Sequence, residues 1–215
     1  MPRVAVGHCR RDFEDGVNDS LSFLRQAEHF RLPLPAGGSR HIGVRRVELV
    51  AGLALLRIHL SWEEFVENVF LRYLCGAMSS TGYAPVLLCP AQHTMSAAMT
   101  LVLPSGQRYL NWSVRPTLPR AARYFRAGEP FATGLGAITQ TLADISAVRN
   151  RFVHRSAYAA QEFRGVVMKE FGYLPRGMTP GRFLLTVNPS SAGQGRRFIE
   201  DYANMLLGAS AALAP

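Results

Sequence analysis

The strongest constraint on the fold is a helical signal that runs from about His41 to Met78. Its first half is apolar nearly all round, through Val47, Leu49, Val50, Leu53, Leu55, Leu56, Ile58 and Leu60. A surface helix shows one apolar stripe, so a segment apolar on every side has to be covered on several sides. The second half narrows to a stripe of Trp62, Phe65, Val66, Val69 and Tyr73, with Glu63, Glu64 and Glu67 opposite. Arg57 and His59 interrupt the apolar run, which is too short and too charged to span a bilayer. It reads as the buried central helix of an all-α protein.

The flanking sequence supplies the helices that would cover it. Phe13, Val17, Leu21 and Leu24 recur at helical spacing from Asp12 to Phe30, and Pro33 and Pro35 stop the pattern. The stretch LPLPAGGSR then reads as a loop. Residues 79–130 form an irregular insert, broken by Gly82, Pro85, Pro90, Pro104, Gly106, Pro116 and Pro119. Within it, Gln92–Leu103 is expected to be a short helix, in preference to a hairpin of Met99–Leu103 with Gln107–Trp112, because a lone hairpin is marginal. Helix is expected again over Gly134–His154 and Ala157–Phe171. A loop around Pro175–Gly181 leads to an extended piece at Arg182–Val187, and Ser190 or Ser191 is placed to cap a last helix carrying Phe198, Tyr202, Met205 and Leu206. With no internal repeat, residues 1–215 read as one helical domain.

Charge narrows the partners. Of 215 residues, 24 are basic and 15 acidic, a net charge of +9 that favours phosphate-bearing ligands. Lys169 is the only lysine, and arginine's planar fork suits phosphates and stacks on bases, although a GC-rich genome gives the same bias. Arg120 and Arg123, with Arg108, Arg115 and Arg126, interleave with Tyr109, Trp112, Tyr124 and Phe125. That mixture suits a flexible RNA strand, and equally a solvated helix face over core aromatics. Three cysteines without metal-like spacing, and a start lacking an apolar leader, point to a reduced cytoplasmic protein with no membrane or metal role.

One helix carries the chemistry. On Gly134–His154, at about 100° per residue, Leu135, Ile138, Leu142, Ile145, Arg149 and Phe152 fall on one stripe. Arg149 therefore interrupts an apolar seam, where a charge is costly unless it is paired or lines a polar cleft. Ala143, Ala147, Asn150 and His154 occupy a second face. On an ideal helix Arg149 and His154 point about 140° apart, so one phosphate meets both only if the helix end unwinds, Arg149 reaches round or a second copy contributes. The bland alternative makes His154 a C-terminal cation favoured by the helix dipole, with Arg149 paired to Asp144, Glu63 or Glu67.

The run Arg149-Asn150-Arg151-Phe152-Val153-His154 resembles the R-x4-H signature of HEPN domains, in which a polar residue commonly follows the arginine. LSWEEFVENVFLRYL is similar to the tryptophan–glutamate helix of the RiboL-PSP type of HEPN protein, and RRFIEDYANML to that group's last helix. The resemblance covers roughly two thirds of the chain, and residues 79–130 lie outside it. It implies an antiparallel helical bundle acting as a metal-independent endoribonuclease without cofactor. It further implies a homodimer with a composite site, and service as a toxin or antiphage-defence effector beside an antitoxin or defence partner.

Those residues fit such a reaction. RNA carries its own nucleophile, the 2′-OH, and an imidazole at His154 can remove its proton or protonate the leaving 5′ oxygen. Arg149 would neutralise charge building on the phosphorane, and Asn150 would orient a phosphate oxygen or fix the His154 tautomer. Products would be a 2′,3′-cyclic phosphate and a 5′-hydroxyl. Arg151 and Arg155 flank the centre as backbone grips, and Glu63 is a candidate to orient Arg149 or His154 from another helix. Two competing functions remain from the same residues: a non-catalytic RNA-, nucleotide- or protein-binding module, and a structural partner subunit packing through its alanine face. No P-loop, HExxH or GxSxG motif is present to suggest ATPase, zinc-protease or serine-hydrolase chemistry.

Overall fold

The computed structural model describes residues 5–33, 38–104, 106–107, 109–191 and 195–215. The chain is an all-α helical bundle, 68% helical, whose only sheet among the described residues has two strands. Its helices are α1 (Val6–His29), α2 (Val44–Leu74), α3 (Met95–Val102), α4 (Val114–Tyr124), α5 (Phe131–Gly136), α6 (Thr139–Val153), α7 (Ala157–Phe171), α8 (Pro180–Leu185) and α9 (Phe198–Leu213). Residues fall into two compact units. The first takes in Met1–Asp15, Leu60–Leu142 and Met205–Pro215, the second Gly16–His59 and Ala143–Asn204.

In the first unit the second half of α2 buries the stripe that the sequence marks. Phe13 of α1 stacks on Phe65 at 5.2 Å and meets Trp62 edge-on at 5.5 Å, which makes Trp62 a core residue. Further along, Phe70 sits among Trp112, Phe125 and Phe131, and the buried Tyr73 hydroxyl donates to the Leu213 carbonyl at 2.9 Å. The insert holds two helices among its irregular connections. Thr94 caps α3 by accepting from the Ala97 amide, so the helical reading of this stretch holds. Helix α4 forms despite Pro116 and Pro119, which the sequence suggests as breaks. Pro116 lies in the first turn, where no intrahelical N–H is needed, and burial of Thr117, Ala121 and Tyr124 on one face compensates the bond lost at Pro119.

In the second unit α7, α8 and the start of α9 enclose a phenylalanine cluster. Phe183 stacks on Phe198 at 4.2 Å, with Phe163 and Phe171 edge-on against Phe183. The Arg182–Val187 piece expected to be extended is largely helical. Thr179 accepts from the Arg182 amide as N-cap and Pro180 supplies the first helical residue, so α8 replaces the strand. Thr186 and Val187 remain extended, and Val187 bridges to Arg197. The expected serine cap is also corrected: Pro189–Ser191 is a short 3-10 turn, and α9 starts at Phe198, where Glu200 accepts from the Arg197 amide. The expected Gly134–His154 helix is two helices, α5 and α6, with a break around Ala137 and Ile138. The loop expected before α2 is partly a hairpin, in which β1 (Arg31–Pro33) pairs antiparallel with β2 (Ser39–His41).

Close helix packing positions α2 in this unit. A Cβ on Gly52 would fall inside the Phe152 ring of α6, and one on Gly181 would overlap the Glu48 carbonyl. Both glycines are there because another group takes the space a side chain would fill.

Candidate functional site

Arg149, Asn150, Arg151, His154 and Arg155 all belong to the second unit, at and just past the end of α6. The helix stops at Val153, and the His154 amide still donates to the Asn150 carbonyl at 2.7 Å. His154 thus sits one residue beyond the regular helix with its side chain exposed. The imidazole stands at the C-terminal end of α6, with its backbone amide still in the helical hydrogen-bond pattern.

Arg149 is half-buried. Its Nη1 donates to the Asn150 Oδ1 at 2.8 Å, a contact between sequence neighbours that aligns the amide with the guanidinium. Asn150 therefore engages Arg149 in this structure. Asp144, a candidate counter-ion on the same helix, is instead bound by Lys169, which also reaches Glu170 at 2.9 Å. Among the described residues of its own unit, Arg149 has no carboxylate in ion-pair contact, and its Nε is buried without a hydrogen-bond partner. A partly exposed cation satisfied on one edge only is available to an anion.

Sequence reasoning overlooked His59. It is 6% exposed on α2, and burial first, then the Arg149 charge, push its pKa from 6.5 down to about 4. At neutral pH it is an uncharged ring within electrostatic reach of Arg149, so it adds no competing positive charge to the arginine's surroundings. A signal existed: Arg45, Gly52 and His59 recur every seven residues, which sets them on one stripe along α2.

The remaining sequence candidates occupy the first unit. Arg120 lies 4.7 Å from the centroid of the Trp112 ring, and its Nη1 donates to the Asn111 carbonyl at 3.3 Å. Arg123 lies 5.5 Å from the Tyr124 ring and is exposed. Both stack on buried aromatics, as the core-covering alternative expects, with Arg123 keeping its exposed side open. Arg108, part of the same basic run, lies outside the described residues. Glu63 is half-buried and lines a cavity of about 610 Å³ with Glu64, Glu67, Tyr109 and Trp112. Arg151 is half-buried and Arg155 exposed beside His154. No group of three His, Cys, Asp or Glu side chains is gathered as a metal ion would require, among the described residues, and no helix there is long and apolar enough to cross a membrane.

No family model, curated protein or solved structure matches this chain.

Proposed function

We propose that the protein is a metal-independent endoribonuclease of HEPN type, centred on Arg149, Asn150 and His154. The observation that carries this reading is the state of Arg149. The guanidinium interrupts an apolar seam, has no counter-ion in its unit among the described residues, and is aligned by Asn150, with an exposed histidine at the end of the same helix. Asp144, the candidate counter-ion on the same helix, is bound by Lys169.

In the proposed reaction the 2′-oxygen forms a bond to phosphorus and the bond to the 5′-oxygen breaks. One general base takes the 2′-hydroxyl proton and one general acid returns a proton to the leaving 5′-oxygen. His154 serves one of these roles, and a second copy of the chain in a homodimer would supply the other imidazole. Arg149 holds the non-bridging oxygens through its fork, and its charge acts most strongly on the extra negative charge of the phosphorane. Action as a toxin or antiphage effector, kept in check by a partner, belongs to the same reading.

Purified protein incubated with single-stranded RNA in EDTA tests it. Cleavage leaving 2′,3′-cyclic phosphate ends is expected, with His154→Ala and Arg149→Ala each slowing it by about a hundredfold or more. Cutting that survives in His154→Ala removes the histidine from the mechanism. RNA binding without any turnover would favour a non-catalytic module.

A further inference from the structure

The strongest unassigned feature lies at the other end of the stripe that carries His59. A cleft of about 400 Å³ opens between the β1–β2 hairpin and the first turn of α2, lined by Leu32, Arg40, His41, Gly43, Val44, Arg45 and Arg46. Every ionisable side chain lining it is basic, and all four are exposed. Arg31 adds a fifth: it pairs with His41 across the hairpin, and its Nη2 lies 3.5 Å from the His41 Nε2. The first turn of α2 carries no acidic residue. Glu48, the nearest carboxylate along the helix, accepts from the Thr179 hydroxyl at 2.8 Å. Cations gathered this closely repel one another, and a polyanion relieves that repulsion.

Helix geometry connects this cleft to the candidate centre. Gly52 of α2 touches Phe152 of α6, and His59, seven residues on, feels Arg149, three residues back. The two helices therefore meet near Gly52 and Phe152, one residue before α6 ends. His154 and Arg155 follow within one turn of that meeting point. Arg45 stands on the stripe shared by Gly52 and His59, about 10 Å along the axis from Gly52. The basic cleft thus opens about two helical turns along α2 from the point where α6 meets it.

We propose that this cleft is a phosphate subsite, in which Arg40, Arg45 and Arg46 grip the backbone of single-stranded RNA as it leaves the His154 end of the cleavage centre. Arginine forks bind non-bridging oxygens in pairs, and an extended strand presents one phosphate per nucleotide to an open, all-basic channel. The ligand's identity rests on the nuclease reading. The subsite itself rests on the charge and placement of the cleft.

Fluorescence anisotropy with a labelled oligouridylate, from roughly 50 to 200 mM salt, tests the subsite in the full chain. Each phosphate contact on a single strand contributes about 0.7 to the slope of log affinity against log salt. Arg45→Ala/Arg46→Ala should therefore lower the slope by about 1.4, which shrinks the affinity change across that range by about sevenfold. Arg45→Lys/Arg46→Lys should keep the wild-type slope, as should Arg11→Ala, an exposed arginine of the other unit. Matching circular dichroism and melting temperature exclude unfolding, which exposed positions should not cause. An unchanged slope in the double alanine variant overturns the subsite, even if His154-dependent cleavage stands. A lost slope in a protein that never cuts RNA retires the nuclease and supports the subsite. Wild-type protein with no salt-dependent RNA affinity overturns both.

Discussion

Replacing His59 by glutamine should remove a definite piece of the protein's acid sensitivity. The buried ring is held neutral in the folded chain, its pKa lowered from 6.5 to about 4 by burial and then by Arg149. The unfolded chain binds a proton at this residue as pH falls through 6.5, whereas the folded chain resists until about 4. Stability is therefore full above the unfolded value and is lost as pH drops through that window, with no further loss from this group below it. The whole difference amounts to about 3 kcal/mol, and about 2 kcal/mol of it disappears between pH 7 and about 4.5. Urea unfolding followed by circular dichroism at those two pH values gives the quantity directly. The drop in wild type should exceed the drop in His59→Gln by about 2 kcal/mol, because every other titrating group is common to both chains. Any fixed cost of the substitution cancels in that comparison. Arg149→Gln, which removes the second of the two causes, should raise the histidine's pKa and narrow the window. Equal pH dependence in wild type and His59→Gln, or a His59 ring that titrates near 6.5 by NMR, would refute the placement of this side chain against Arg149.

Two further expectations follow from packing. Gly52→Ala should destabilise by about 1–3 kcal/mol despite alanine's better helix propensity, since its methyl would overlap Phe152, while Gly165→Ala, with open space around it on α7, should stabilise by up to about 1 kcal/mol. Opposite signs in thermal melts check the pair, and a stabilised Gly52→Ala refutes the close approach of α2 and α6. Lys169→Met should cost about 1–2 kcal/mol in urea unfolding by taking a cation from the buried Asp144 carboxylate, discounted because the lysine is itself half exposed. A neutral outcome would show that Asp144 is held well enough by its other neighbours.

Much of the fold was legible where one period dominates. Buried positions 13, 17, 21 and 24 on α1, and the Trp62–Tyr73 stripe on α2, follow from apolar spacing, although α1 starts at Val6, ahead of the expected Asp12, and buries Val6 and Cys9 as well. The failures came from punctuation. Pro116 and Pro119 read as breaks because a proline's effect depends on its position within a turn, which needs the helix start to be known. RFLLTV at 182–187 looks extended because its β-branched end outweighs its four helical residues, Arg182–Leu185, although Thr179-Pro180 is a helix-starting pair. At the candidate site, the adjacency of Arg149 and Asn150 and the need for an unwound helix end could be derived from a helical wheel. Neither the lysine that takes Asp144 nor the burial of His59 could, since each depends on which distant helix lies alongside.

The position of His154 at the end of α6, its amide held by the Asn150 carbonyl, has a consequence for how it moves. Only His154, Arg155 and Ser156 separate α6 from α7, and Ser156 caps α7 by accepting from the Ala159 amide at 3.2 Å. So short a tether, pinned at both ends, leaves the imidazole its rotamers and denies its backbone any excursion. The search for a reactive pose is then confined to two torsions, and most of the ordering entropy has already been spent when the chain folds.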